Sequence, residues 1–388
     1  MGDRITVSGL AIPVLGGRLS DIHRHLAIKS DDDKLLVEAW LVASFFPNVP
    51  RPIITFHGPQ GASKTTTARI LKALTDPSLT ESVDLGKSPS DLAQVLDHHG
   101  VPCFDNLTSI PTWAADMLYR GVTGGAFSKR ELYSDDSDII LSFKRPMIIT
   151  GINIPTHAPD LLDRLLLIEL ERIQTEKRMD ESTFWEKFNA DKPSLFGALL
   201  SAVSGALKNL PTTKLDKMPR MADFARIACA YAEYAGIGSA RMLDIIMAHT
   251  SRQTQEVLES DPLASAIHAL ILDRKKWTGT AVDLLALLNE SVAIPKPDGW
   301  PKAANTLTRK LNVINSTLLD SGISTRRHQD PSTHLKLITL SLDRVAETST
   351  ISTISNKHIS KCMINNDLKI VDIFPTLSGD EAIVEVFL

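Results

Sequence analysis

His57-Gly-Pro-Gln-Gly-Ala-Ser-Lys-Thr-Thr-Thr-Ala-Arg-Ile70 reads as a phosphate-binding loop running into a helix. The stretch before it, Pro52-Ile-Ile-Thr-Phe56, is short, apolar and β-branched, the composition of a strand buried on both faces of a parallel sheet. A strand, a glycine turn and a helix aim backbone N–H groups and the positive end of the helix dipole at one point, which suits a triphosphate. Gly58, Pro59, Gln60, Gly61, Ala62 and Ser63 would form the cradle, with Lys64, Thr65 and Thr66 opening the helix. Lys64 would neutralise the β- and γ-phosphates of ATP, and the Thr65 hydroxyl would be a ligand of the accompanying Mg2+. The template G-x-x-x-x-G-K-[ST] places glycine before the lysine, where this chain has Ser63. Ser is small, and Gly58 and Gly61 still supply turn freedom, so the loop is a variant of the motif. A glycine-containing surface turn ahead of an ordinary helix is the competing reading.

A chain of 388 residues has room for two or three domains. Its net charge of -4 means that any nucleic-acid surface must be a local patch. Cys103, Cys229 and Cys362 are odd in number and lack metal-ligand spacing, which predicts a reducing cytoplasm. The N-terminus shows no basic segment followed by an apolar core, and no apolar run reaches membrane-spanning length, so neither secretion nor membrane insertion is expected.

Residues 1–50 read as a helical prefix whose helix, Lys34 to Phe46, opens after Asp31-Asp32-Asp33, where acids suit a helix N-terminus. Its apolar face, with Trp40, would dock on the core or on a neighbouring subunit. From 51 to 173 apolar strand runs alternate with helices, the pattern of a parallel α/β sheet. Val101-Pro-Cys-Phe-Asp105-Asn106 is an apolar run ending in a carboxylate, and Asp105 is the candidate second Mg2+ residue. Asn106 stands where many such ATPases place a glutamate; an amide orients water but takes no proton from it. Val122 to Leu141 reads as a two-stranded ribbon turning at Ser134 to Asp138, with Lys129 and Arg130 at its base. It is either a grip on a nucleic-acid backbone or a solvated hairpin. Thr150 and Asn153 end a further buried strand and are candidates to sense the γ-phosphate. Arg164, just before the apolar run Leu165 to Leu170, is placed to complete an adjacent subunit's site as an arginine finger, or else to pair with Asp160 or Asp163.

Gly58 to Thr65, Phe104-Asp-Asn106, Thr123-Gly-Gly125 with Arg130-Glu-Leu-Tyr133, Arg145-Pro146 and Leu161-Leu-Asp-Arg164 follow one another in the order and spacing of a known family. The chain resembles the ATPase part of phage and mobile-element primase-helicases, related to superfamily 3 helicases within the AAA+ class. The resemblance spans roughly residues 10–342 and is most specific over 53–170. It implies a P-loop AAA+ core, a ring-forming ATP-driven motor, hexameric in expectation, and single-stranded or forked DNA as partner. It also implies that Lys129 and Arg130 belong to a DNA-contacting hairpin. Ser63, Asn106 and Thr150 depart from the family's strict motifs, asparagine being usual at the last. The chain leaves no room for a primase domain, so the resemblance implies either a stand-alone motor or a fragment whose polymerising half lies on another chain.

Residues 174–258 are helical by periodicity, clearest over Ser194 to Leu210 and Met221 to Tyr234, and suit the lid that closes over nucleotide in AAA+ proteins. Arg220 resembles a second sensor, with Asp223 as an alternative partner. From 262 to 342 three helices are followed by a hairpin of Ser324 to His328 and His334 to Leu342, the order of a winged helix. Residues 301–342 hold six Lys or Arg against two Asp while the whole chain is negative. Lys302, Arg309 and Lys310 on the third helix, with Arg326, Arg327 and Lys336 on the hairpin, form a candidate DNA footprint. A winged helix that binds only protein is the alternative. Residues 343–388 read as a polar linker and a tail without an assigned role.

The leading expectation is an ATP- and Mg2+-dependent DNA helicase or translocase acting in replication of a phage, plasmid or integrated element. A DNA-binding initiator or regulator switched by ATP, with little hydrolysis, is the second reading, motivated by Asn106. A small-molecule kinase is a third, for which the basic C-terminal segment would have no purpose.

Overall fold

The computed structural model describes residues 9–342 apart from 131–137, 152–158, 175, 177, 293–294 and 298. The 343–388 tail therefore lies outside the described residues.

Four strands, β1 (Ile53–His57), β2 (Cys103–Leu107), β5 (Ile148–Gly151) and β6 (Leu165–Glu169), make a sheet in the order β2-β5-β1-β6. Every neighbouring pair is parallel. Parallel neighbours need crossovers, and these run through α2 (Lys64–Thr75), α3 (Pro89–His98), α4 (Thr112–Thr123) and the single turn α5 (Pro159–Leu162). β1 lies inside the sheet between β5 and β6 and is covered on both faces, which is why its residues are apolar without alternation. The mixed α/β class with a parallel sheet is thus the one its sequence pattern implied. Between α4 and β5 the chain makes an antiparallel ribbon, β3 (Ala126–Arg130) and β4 (Asp138–Ser142), paired from Ala126 with Ser142 to Arg130 with Asp138. The expected tip, Ser134 to Asp138, falls almost wholly outside the described residues.

The helical part comprises α6 (Glu181–Asn209), α7 (Ala222–Tyr234) and α8 (Ser239–Ser260). Helix α1 (Asp31–Ala43) docks within its own chain, against α6, α7 and α8. Ser30 caps it by accepting from the Asp33 N–H, and Asp31 to Asp33 fill the first turn as expected. Arg51 closes the other end, donating to the carbonyls of Ala43, Ser44 and Phe46 at 3.0, 3.0 and 2.6 Å. Ion pairs Asp32–Arg241 (2.6 Å) and Asp33–Arg252 (2.9 Å) fasten α1 to α8.

The last described part is α9 (Pro262–Arg274), β7 (Lys276–Gly279), α10 (Ala281–Ser291), α11 (Ala304–Asp320), β8 (Ile323–Gln329) and β9 (Lys336–Leu342), with its three strands in the order β7-β9-β8. The three helices and the hairpin match the expected order. β7 was not legible: Lys-Trp-Thr-Gly is too short to show a period and is held by pairing with β9, some sixty residues further on. The hairpin turn is also longer than Gln329-Asp-Pro-Ser. Asp330 accepts from the Ser332 and Thr333 N–H groups, so the second strand begins at Lys336 rather than His334.

Apolar side chains gather on both faces of the four-stranded sheet. One cluster joins it to α1, α2 and the helical part, and a second joins it to α3, α4 and α5. A third fills the C-terminal part. Trp40, fully buried in the first cluster, donates its indole N–H to the Pro52 carbonyl at 2.8 Å, just before β1. Trp40→Ala is expected to cost about 3–5 kcal/mol in urea unfolding, through the cavity and the orphaned carbonyl. Trp40→Phe should cost clearly less.

Candidate nucleotide site

The phosphate loop leaves the C-terminal end of β1 and enters α2. Ser63, in the position the motif gives to glycine, adopts φ +57, ψ +35, so the left-handed turn is made by serine. Gly58 (φ +144) has a second reason to be glycine: a Cβ there would come 2.5 Å from the Leu170 carbonyl oxygen. No side chain caps α2, which leaves its first-turn N–H groups free to receive an anion. Pro59, Gln60 and Gly61 are exposed, Ala62 is buried beneath them, and Thr66 is half-buried in the first turn of α2. The cradle is open to solvent rather than filled by packing. Lys64 folds back across it, its ammonium donating to the Gly58 and Pro59 carbonyls at 2.9 and 3.0 Å. Those two oxygens hold the cation over the loop.

The strand order brings Asp105 to the same place. Its carboxylate accepts from the Thr65 hydroxyl, 3.0 Å to either oxygen, and from the Thr150 hydroxyl at 2.5 Å. Thr150, buried on β5 between the other two strands, also accepts the Asn106 N–H at 2.8 Å. Its hydroxyl is engaged both as donor and as acceptor, so in this structure Thr150 orients Asp105 instead of reaching into the cradle. Asn106 is exposed at φ +56, where β2 breaks register with β5 between Phe104 and Leu107. Among the described residues no three His, Cys, Asp or Glu side chains come together as a metal site. A Mg2+ held by the Thr65 hydroxyl and Asp105 therefore suits this pair of hard oxygen donors only with phosphate and water completing its shell.

The remaining predicted residues lie elsewhere. Arg164 precedes β6, whose Leu165 pairs with Ile53 while Glu169 pairs with His57, so Arg164 is at the end of the sheet away from the loop. That separation is about 13 Å along the strand. Its guanidinium lies 5.3 Å from the Tyr119 ring centroid and donates to the Met221 sulfur at 3.0 Å, with no ion pair to Asp163. Asp163 pairs instead with Arg220, which also holds Asp320 at 3.2 Å. Arg220 thus faces neither the cradle nor Asp223: two acids remote in sequence neutralise it at the same far end of the sheet, and one of them ties α11 to the core. Asn153 lies outside the described residues, as do the side chains of Lys129 and Arg130. In the C-terminal part Lys302, Arg309, Arg326, Arg327 and Lys336 are exposed and Lys310 is half-buried. Arg327 donates to the Thr308 carbonyl at 3.2 Å, which turns it toward α11 and its strand neighbour Arg326 to the other face.

Two residues escaped the sequence reading. Arg178 stands beside Gly61, 3.7 Å from the place of a Cβ there. His57, last in β1, lines a polar cavity of about 30 Å³ with Asp33, Glu169, His249 and Arg252, large enough for a water molecule. Burial lowers the His57 pKa against the pull of Glu169 and Asp33, and burial likewise lowers that of His249, whose ring nitrogen is 2.7 Å from the Leu167 carbonyl. Burial is also the first cause raising the Cys103 and Cys229 thiols, to about 12 and about 11, so neither is a nucleophile at neutral pH. No described helix is long and apolar enough to cross a membrane.

Residues 21–249 match the family model described as actinomycete integrative conjugative element replication protein, and residues 263–354 match the AICE RepA C-terminal domain. No curated protein matches the chain. Among solved structures, the apo NrS-1 C-terminal region is 11% identical with a TM-score of 0.44, over 87% of this chain and 79% of that one. A JCV helicase is 13% identical with a TM-score of 0.27, over 53% and 61%. The Thermotoga maritima RuvB Holliday junction branch migration motor is 14% identical with a TM-score of 0.26, over 80% and 92%.

The histidines make stability depend on pH. Their folded pKa values lie below the ordinary 6.5, so as pH falls past that value the unfolded chain binds protons the folded one refuses. The thermal midpoint is expected to fall from about pH 7 to about pH 5.5, above the range where carboxylates titrate. His249→Gln should flatten that slope, and a midpoint that rises on acidification would contradict the assignment.

Proposed function

The chain belongs to the family of actinomycete integrative conjugative element replication proteins, and from that premise we propose that it is an ATP- and Mg2+-dependent motor acting on DNA. In this reading it is a helicase or translocase working as an oligomeric ring, with superfamily 3-like AAA+ architecture. The observation that carries the proposal is the convergence of Lys64, Thr65 and Asp105, from the loop and from a strand two places away, on one open cradle. ATP bound there would take the Lys64 ammonium from the Gly58 and Pro59 carbonyls, and Mg2+ would neutralise charge on the transferring phosphoryl group. Thr150 keeps Asp105 aimed at Thr65, and the first-turn amides of α2 would hold phosphate oxygens. Arg164, at the far end of the sheet, cannot serve its own cradle; as an arginine finger it would serve a neighbouring copy's, which is the reason to expect a ring.

The C-terminal part is read as a winged helix, with α11 and the β8–β9 hairpin presenting the basic residues to DNA phosphates. Lys129 and Arg130, at the base of the ribbon, would contact the translocated strand. A primase, if the motor works with one, would come from another chain.

Asn106 favours a second reading. It occupies the place after Asp105 with an amide, so the chain would bind ATP and DNA as a switched initiator with little hydrolysis. Phosphate release measured with and without single-stranded DNA separates the two.

Lys64→Ala is expected to abolish ATP-driven unwinding while DNA binding persists, and unchanged unwinding would refute the motor. Arg326→Glu with Lys336→Glu should weaken DNA binding at least tenfold and lower the salt slope by about 2, one for each phosphate no longer neutralised. An unaltered slope would remove the hairpin from the interface.

A further inference from the structure

The segment between β6 and α6 is threaded past the phosphate loop. Leu170 donates its N–H to the His57 carbonyl at 2.9 Å, and Ile173 donates to the Gly61 carbonyl at 3.4 Å. The same segment delivers Arg178. Its Nε donates to the Ile173 carbonyl at 3.3 Å, and its Nη2 stands 3.7 Å from where a Cβ on Gly61 would be. Arg178 is exposed, and no carboxylate of the described residues pairs with it. Arg69, on the flank of α2, is by contrast held by both Glu81 and Glu181 at 2.8 Å. A guanidinium with one donor spent has four left, in a planar fork that matches two phosphate oxygens.

We propose that Arg178 is a phosphate-contacting residue of the nucleotide site, supplied by the protein's own chain and standing beside Gly61 of the cradle. The inference rests on the nucleotide reading of the loop and adds to it a second cation, for the polyphosphate chain. A single residue, Met179, separates Arg178 from Asp180, which caps α6 by accepting the Thr183 N–H at 2.9 Å.

The test uses the full chain with Arg178→Ala, Arg178→Lys and Lys64→Ala, titrated with fluorescent analogues of ATP and AMP in Mg2+. Nucleotide-free thermal midpoints provide the folding control. Arg178→Ala is expected to weaken the ATP analogue about tenfold or more and to leave AMP and the nucleotide-free midpoint unchanged. Arg178→Lys should restore much of the loss, whereas a residue acting only through its Nε bond to Ile173 would not be rescued. If Lys64→Ala loses the ATP analogue while Arg178→Ala binds it as the unaltered chain does, the Arg178 contact is wrong and the cradle stands. If both variants bind as the unaltered chain does, the cradle reading itself falls and takes Arg178 with it. Equal weakening of ATP and AMP would also overturn the contact, since AMP lacks the β- and γ-phosphates.

Discussion

The Asp105 carboxylate, shared between the hydroxyls of Thr65 and Thr150, is the contact on which the rest of the site depends. It joins the helix after β1, the middle of β2 and the C-terminal half of β5, three places that meet only if β5 is inserted between the other two strands. Without that order the loop would still be a glycine turn before a helix, but with no acid beside it. Thr150 is a small residue for this task. Its one hydroxyl both donates to Asp105 and accepts from the Asn106 amide, so the carboxylate and the left-handed residue after it are fixed by a single side chain.

Local conformation was the legible part. The glycine loop running into a helix at Lys64, the apolar β1 and the carboxylate that closes the apolar run of β2 are all encoded within a few residues, and the structure puts them together. Ser63 shows the limit of motif reading, since the backbone conformation is kept while the residue that usually supplies it is absent. Contacts remote in sequence were not legible. Arg220 stands at the start of a helix, where an anion is expected, but nothing near it in the chain names Asp163 and Asp320. Arg178 gave no signal because a lone arginine in an irregular segment has no period and no motif. β7 was missed because its strand character comes from β9.

Helix α1 owes its importance to position rather than to chemistry. Its first-turn acids hold α8, and Glu38, buried further along, is shared by His23 and by the Tyr231 hydroxyl on α7. A buried carboxylate is tolerated only when its oxygens are engaged, and here both are, by partners from two different parts of the chain. Burial and the Glu38 charge raise the Tyr231 phenol, which remains a donor. Helix α1 therefore works as a wedge that fixes the helical part to the sheet, and it does so without entering the cradle.

The two ends of the sheet are consequently wired to different things. At the loop end, His57 and Glu169 meet Asp33, His249 and Arg252, so α1 and α8 border the strand that carries the cradle. At the other end, Asp163 and Arg220 lead to Asp320 and so to the C-terminal basic part, with Arg164 beside them against Met221. Ion pairs at half-exposed positions contribute little to stability, about 1 kcal/mol or less, so the Arg220 link can break and re-form at small cost. Apolar packing joins the helical and C-terminal parts as well, since Leu258 of α8 is buried in the C-terminal cluster. Through Asp163, Arg220 and Asp320 the far end of the sheet is tied by charge to α11, the helix that carries Arg309 and Lys310.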